Sequence, residues 1–360
     1  MKRIYRKAKS ILCRIKGIKK TAYINRDYLN NEKYYFRFER KDYITNKKEE
    51  SIEFFNKTNR VIKRKKSKLK IIIFGVLNLF YKINFENNKE SPIFKGDILM
   101  KTRRNNIKIF NFEEDLVMNI IDDKNEYKYL EKEYNYFTKY YNIPIMEMNE
   151  DEQYIIEKHL NFKPYKDWSN KEKQDVVIEI AESLKKQVKD LKNNNIENRS
   201  TKALFTHLRR DLKGSCILEK IEEIIPDGSL NDKWPVIKCH GDLNVNNILL
   251  EDNKFYFIDW EDSDKCIFFY DFINCIFVEA LDINDYSYLK RYLKGDYDNY
   301  LRDIFDYLSI EFIPENRLYY IVIYIMDRII QFEFVQNMDK IDIVLKKYEN
   351  VLAYIKTFYK

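Results

Sequence analysis

The sequence predicts an α+β chain of two lobes, a small β-rich N-lobe followed by a larger, mainly helical C-lobe, with a basic, partly amphipathic helical extension in front. Three observations predict it. Short strand-like runs cluster between residues 91 and 160. Beyond Pro164, apolar residues recur at helical spacing over long stretches. The first 90 residues carry an excess of Lys and Arg instead. The expected division is therefore an extension over 1–90, an N-lobe over 91–160 and a C-lobe over 161–360.

Composition narrows the function classes. With 45% hydrophobic and 34% charged residues in 360, the chain is neither a disordered polymer nor an integral membrane protein. Only seven Gly occur, and neither G-x-G-x-x-G nor G-x-x-x-x-G-K-[ST] is present, which excludes the signatures of a Rossmann site and of a P-loop. Five widely spaced Cys without a C-x-x-C pair, and three His, argue against a disulfide framework or a zinc site. That cysteine usage fits a reducing cytoplasm. The abundance of Lys, Ile, Asn, Tyr and Phe reads as a coding bias and carries no function.

Charge separates the front from the body. Residues 1–100 hold 27 Lys and Arg against 10 Asp and Glu, a net +17, and the remaining residues hold 38 against 48, a net −10. Residues 1–20 place Ile4, Ala8, Ile11, Leu12, Ile15 and Ile18 at helical spacing opposite a Lys/Arg face. Such a helix suits an anionic membrane surface or an ordinary structural extension. A second basic cluster, 63–70, runs into the apolar stretch 71–81, which is too short to span a bilayer. Peripheral attachment to the inner face of the membrane through 1–20 and 63–81 is thus one expectation, and a plain extension the other. Nucleic acid is disfavoured, because no recognised nucleic-acid module accompanies the charge.

The lobes read as follows. ILMKT, NNIKIFNF and DLVMNII are three strands separated by turn-like RRNN and EED. NEYKYLEKEYNYFTKYYN is a helix with Tyr127, Leu130, Tyr134 and Phe137 on one face. IPIMEM and DEQYIIEKHL add two strands. A long helix follows, with Val177, Ile180, Ala181, Leu184, Val188 and Leu191 inward and Asp167 or Ser169 as its cap. Another helical stretch covers about 200–225, a β-rich segment 236–259, and mostly helices the remainder.

The segment 239–262, CHGDLNVNNILLEDNKFYFIDWED, carries the chemistry. Apolar ILL and FYFI flank the turn EDNK as a hairpin, which delivers Asp242, Asn247 and Asp259 to one end. That set suits phosphoryl transfer. A carboxylate near an attacking hydroxyl accepts its proton, a role for Asp242. Magnesium takes hard oxygen ligands and keeps some water, so one amide oxygen and one carboxylate, Asn247 and Asp259, suffice without an all-protein cage.

H-G-D-L-N-x-x-N-I-L at 240–249, followed by I-D-W-E at 258–261, resembles the aminoglycoside phosphotransferase and choline kinase family, whose fold is like that of protein kinases. The resemblance covers roughly 95–330, with 240–261 its diagnostic part. It implies ATP and Mg²⁺ as cofactors, Asp242 as the catalytic base, and Asn247 and Asp259 as metal ligands. It implies that Ile155–Leu160 is the hinge strand, so that the backbone of Glu157, Lys158 and His159 meets the adenine. It sets Glu133 where the family has the acidic partner of its ATP-orienting Lys, and gives Asp271 a supporting role, capping a helix or holding the catalytic loop. His240 is expected to brace the loop.

Here the chain departs from the family. DLVMNII offers Asn119 in place of the strand Lys, and the first hairpin loop, Arg103-Arg104-Asn105-Asn106, has no Gly. Arg103, Arg104, Lys101 and Lys108 are the cations available to the phosphates instead. The leading expectation is a cytoplasmic kinase moving the ATP γ-phosphoryl group to a hydroxyl of a small molecule or glycan: a sugar, an aminoglycoside, choline or an envelope glycolipid sugar. The alternative is a catalytically impaired, kinase-like binding or assembly protein.

Overall fold

The computed structural model describes residues 2–37, 43–57, 82–85, 94–102, 104–191, 196–212, 214–333 and 341–358. The chain forms two compact units, one of 1–138, 142–167 and 249–258, the other of 139–141, 168–248 and 259–360.

The first unit is built on an eight-stranded sheet. Its strands are β1 (Lys33–Arg37), β2 (Tyr43–Thr45), β3 (Lys82–Asn84), β4 (Ile98–Lys101), β5 (Ile107–Asn111), β6 (Leu116–Ile120), β7 (Ile145–Asn149) and β8 (Tyr154–Lys158). They lie in the order β3-β1-β2-β4-β5-β6-β8-β7, with every neighbouring pair antiparallel. The five strands expected after residue 91 form. The front adds β1, β2 and β3 to the same sheet, so it is not helical throughout. KYYFR, YIT and KIN are too short to stand out by alternation in a Lys-rich stretch.

Among the described residues three helices accompany the sheet: α1 (Lys2–Ile24), α2 (Lys48–Asn56) and α3 (Lys124–Phe137). Register assigns the faces, because side chains alternate along each strand. Leu99, Ile109, Met118 and Ile156 share one face. Ile15, Ile18 and Ala22 of α1 are buried in the same cluster as these four. The expected amphipathic helix therefore forms, but over Ile15–Ala22 its apolar stripe is spent on the sheet. This corrects the membrane-surface reading of residues 1–20 over that part: apolar surface already removed from water has nothing to gain from a bilayer. The 63–81 segment lies outside the described residues. No helix among the described residues is long and apolar enough to cross a membrane.

The opposite face carries Ile98, Met100, Lys108, Phe110, Val117, Asn119, Ile155 and Glu157. Ile98, Met100, Phe110 and Val117 of this face form, with Tyr43, a second cluster against which Phe54 of α2 packs.

The second unit is mostly helical. It holds β9 (Asn198–Ser200) and β10 (Lys233–Cys239), α4 (Asn170–Leu191), α5 (Thr201–Asp211) and α6 (Cys216–Glu222). The next elements, β11 (Ile248–Glu251) and β12 (Lys254–Phe257), pair with each other as the expected hairpin. The second unit continues with β13 (Asp264–Ile267), α7 (Tyr270–Ile283), α8 (Ser287–Lys294), α9 (Asp298–Tyr307), α10 (Arg317–Arg328) and α11 (Ile341–Lys356). Ser169, not Asp167, caps α4. Its Oγ accepts from Glu172 N at 3.2 Å while Glu172 Oε2 accepts from Ser169 N at 2.6 Å, a reciprocal capping box.

Candidate active site

A strand pair sets the geometry. β10 and β13 run antiparallel with Cys239 opposite Asp264. The loop that leaves Cys239 and the turn that enters Asp264 therefore lie at one end of the same pair. Asp242 belongs to the first and Asp259 to the second.

The loop is held from α7. Asp271, buried in the first turn of that helix, accepts the backbone N–H of His240 at 2.6 Å and of Gly241 at 3.1 Å. Gly241 has a φ of +83°, which a residue with a Cβ adopts only under strain. Three residues along α7, Asn274 donates to the carbonyl of Leu243 at 2.8 Å. Asp271 thus holds the loop that carries Asp242, the second of the two roles the resemblance left open. Burial raises its pKa, against the opposing effects of His240 and the two backbone donors. His240 is fully buried, with its ring 4.4 Å from that of Trp260, and its Nδ1 accepts the Asp242 N–H at 3.4 Å, so it braces the loop as expected.

Asp242 is oriented by two amides. Asn244 Nδ2 donates to its Oδ1 at 3.0 Å and to its backbone carbonyl at 2.9 Å. Asn247 Nδ2 donates to that carbonyl at 2.8 Å and to Oδ2 at 3.3 Å. Asn244 Oδ1 in turn accepts from Asn246 N at 3.0 Å and caps the single turn Val245–Asn247. Burial pushes the Asp242 pKa above its ordinary value. The Arg328 guanidinium and His240 oppose that shift, and Asp262 and Asp259 add to it. A base with a raised pKa holds a proton more readily at neutral pH, which favours general-base work. Arg328 itself donates to Tyr348 Oη at 2.9 Å and to Asn274 Oδ1, so Asn274 joins the loop to the cation.

Asp259 follows β12 with φ +70° and ψ +56°, a left-handed conformation that Asp tolerates better than most residues. Its side chain makes no capping bond to the turn Trp260–Asp262, and it is exposed. Asn247 spends its Nδ2 on Asp242, which leaves Oδ1 as the atom for a cation. One amide oxygen and one exposed carboxylate match what Mg²⁺ takes from a protein when phosphates and water complete its shell. Among the described residues no group of three or more His, Cys, Asp or Glu is arranged as a metal cage.

The cofactor residues expected in the first unit lie on its strands, on α3 and in the loop between β4 and β5. Asn119 is buried and donates from Nδ2 to Glu157 Oε2 at 2.8 Å, while Tyr134 Oη donates to Glu157 Oε1 at 3.0 Å. Asn119, which stands at the position of the strand Lys in the resemblance, is thus bonded to Glu157. A short amide reaches the neighbouring strand, where Val117 stands opposite Glu157, whereas a Lys reaches farther. Glu133 is buried on the inner face of α3. The hinge N–H groups are also committed. Lys158 N donates to Pro144 O and His159 N to Asp115 O, both at 2.7 Å. The Lys158 ammonium pairs with Glu251 at 2.6 Å.

Arg103 lies outside the described residues. Arg104 is exposed and stands 3.9 Å from Glu126 of α3, whose Oε1 also accepts from Asn106 Nδ2 at 2.9 Å. Asn105 takes φ +72°, the left-handed position a Gly fills in many hairpin loops. Lys101 is exposed at the end of β4, and Lys108 stands directly opposite Asn119.

Sequence reasoning missed Asn244, Asn274, Arg328 and the Asn119–Glu157–Tyr134 set. One signal was present: Asp271 and Asn274 are polar residues three apart in the otherwise apolar run FFYDFINCIFV, which places both on one helix face. Nothing local marks Arg328, some 86 residues beyond Asp242 in the chain.

Residues 186–302 match the phosphotransferase enzyme family (APH). That segment contains the loop, Asp259, Asp271 and Asn274. No curated protein matches the chain. Among solved structures, the chain is similar to aminoglycoside phosphotransferase APH(2'')-Ib with ADP bound, at 16% identity over 69% of this chain and 91% of that one, TM-score 0.37. It is similar to a choline/ethanolamine kinase family protein from Mesorhizobium loti, at 12% identity over 72% and 87%, TM-score 0.40. It is also similar to aminoglycoside phosphotransferase APH(4)-Ia in a thermostable mutant form, at 12% identity over 71% and 94%, TM-score 0.44. The family match bears out the resemblance carried by residues 240–261, and the enzyme class is that of a phosphotransferase. The α+β class, with an antiparallel β unit and a mainly helical unit, is the one expected.

Proposed function

We propose that this chain moves the γ-phosphoryl group of ATP, with Mg²⁺, to a hydroxyl of a small molecule or glycan. The observation that carries the reading is the Asp242 carboxylate, fixed by Asn244 and Asn247 on a loop clamped by Asp271. In this reading Asp242 orients the acceptor hydroxyl and takes its proton as the oxygen bonds to the γ-phosphorus and ADP departs. Asn247 Oδ1 and the Asp259 carboxylate hold the metal, which offsets charge on the phosphates. The acceptor class comprises a sugar, an aminoglycoside, choline or an envelope glycolipid sugar. The setting is the cytoplasm, where nucleotide and Mg²⁺ are supplied and the five free cysteines stay reduced.

A second reading, a catalytically impaired kinase-like binding protein, is favoured by one observation: Asn119 is engaged with Glu157 and brings no cation to the phosphates. Lys108, opposite Asn119, is the cation the sheet register offers in its place. A screen of hydroxyl acceptors with γ-labelled ATP and Mg²⁺ separates the two. Label transferred to at least one acceptor supports the kinase; nucleotide binding without transfer to any acceptor supports the second reading.

A further inference from the structure

The geometry points to α2 as a gate, with Phe54 occupying the apolar surface beside the hinge strand that a nucleobase would need. The inference rests on the ATP-dependent reading above. That surface lies on the sheet face of Asn119 and Glu157 and is made by Ile98, Phe110 and Val117. Phe54 is seated on it, with its ring 4.9 Å from Phe110, 5.8 Å from Phe112 and 5.2 Å from His159. A flat aromatic ring therefore already fills the space.

The polar atoms around it show what the phenyl ring fails to supply. Neither ring nitrogen of His159 has a hydrogen-bond partner, although the side chain is largely buried. Asp115 Oδ1 stands 3.6 Å from Nδ1, beyond good hydrogen-bond length. Asn119 Oδ1, on the same face, is likewise buried without a partner. Buried polar groups left unsatisfied are costly and uncommon. A nucleobase has both the flat apolar face that Phe54 mimics and the edge donors and acceptors that Phe54 lacks.

The segment is suited to move. α2 has nine residues, and no side chain caps its N-terminus. So short a helix draws its stability from packing rather than from its own hydrogen bonds. Its C-terminal end is pinned by Lys57, whose Nζ donates to Asn161 Oδ1 at 2.5 Å and lies 5.2 Å from the Phe162 ring. Release of α2 would uncover the surface without disturbing the strands beneath. A nucleotide that binds only the open form pays for opening in apparent affinity, and removing the plug removes that penalty.

The test measures MgADP affinity of the full chain, wild type, Phe54→Ala and Lys57→Ala, together with amide exchange over 51–57 with and without saturating MgADP. Phe54→Ala is expected to bind about tenfold more tightly than wild type and Lys57→Ala about threefold. Amides of 51–57 in the wild type are expected to exchange faster when MgADP is bound. Lys57→Ala keeps the test open if Phe54→Ala folds poorly. Equal or weaker binding by both variants overturns the gate, as does exchange over 51–57 that MgADP leaves unchanged; weaker binding would make Phe54 a stacking partner of the base. Wild-type binding with an inert Phe54 overturns the gate alone. Failure of every variant to bind MgADP contradicts the ATP-dependent reading and the gate with it.

Discussion

The loop around Asp242 and the sheet face around Asn119 solve the same problem, a charged group held away from water, in opposite ways. The loop is held at several points: Asp271 takes its first two amides, Asn274 the carbonyl of Leu243, and Asn244 and Asn247 its carboxylate. The sheet face is incomplete, with Asn119 Oδ1 and both ring nitrogens of His159 lacking a hydrogen bond. A fully satisfied buried network rigidifies, whereas a partly satisfied one marks a place where another group belongs. The difference separates a hydrogen-bonded loop from a sheet face with unsatisfied polar atoms.

The largest effect expected from breaking this contrast is at the metal. Asp259→Asn removes the charge yet keeps a residue that tolerates the left-handed backbone at φ +70°. It should abolish Mg²⁺-dependent nucleotide binding in a metal titration, and unaltered metal dependence would remove Asp259 from the site. Next is the clamp. Asp271→Ala leaves two buried N–H groups without an acceptor, each costing about 1–3 kcal/mol. Denaturant unfolding should show that loss, with turnover falling alongside. An unchanged midpoint would mean the loop does not depend on α7.

Asn119→Lys sharpens the comparison from the other side. An ammonium beside Glu157 should raise the preference for ATP over adenosine by about tenfold, as a charge-assisted phosphate contact does. Lys108→Ala should lower the same ratio if Lys108 serves the phosphates, and a ratio that neither variant moves would mean that this face does not meet them. The smallest effect is on pH. Because burial raises the Asp242 pKa above 3.8, turnover should rise with pH along a limb placed above that value, as the carboxylate loses its proton. Arg328 opposes the shift, so Arg328→Met should move the limb to higher pH. A limb that stays in place would mean that the group titrating is not Asp242.

Legibility in the sequence divides along the same line. HGDLNVNN and IDWED state the loop chemistry locally, since each residue there is placed by near neighbours and by the pairing of β10 with β13. α3 and α4 were readable from their apolar spacing, whereas the Asp271 support was expected only from the resemblance to the family. The three front strands were not readable, because each has five residues or fewer and gains its place only by adding to a sheet made by later residues. The bond from Asn119 to Glu157 spans 38 positions and follows from register, which no local pattern specifies. The fate of α1 was undecided for a related reason: an amphipathic stripe states that a face is buried, not what buries it.

The central claim is that Asp242 serves the transfer step and not nucleotide binding. Asp242→Asn keeps the shape and can still take part in amide hydrogen bonding, but it cannot accept the hydroxyl proton. Nucleotide affinity and phosphoryl transfer should be measured on the same preparation, for wild type and variant, with an acceptor found in the screen. The account predicts transfer slower by about 100-fold or more with MgATP affinity nearly unchanged. Transfer at the wild-type rate by Asp242→Asn would contradict it.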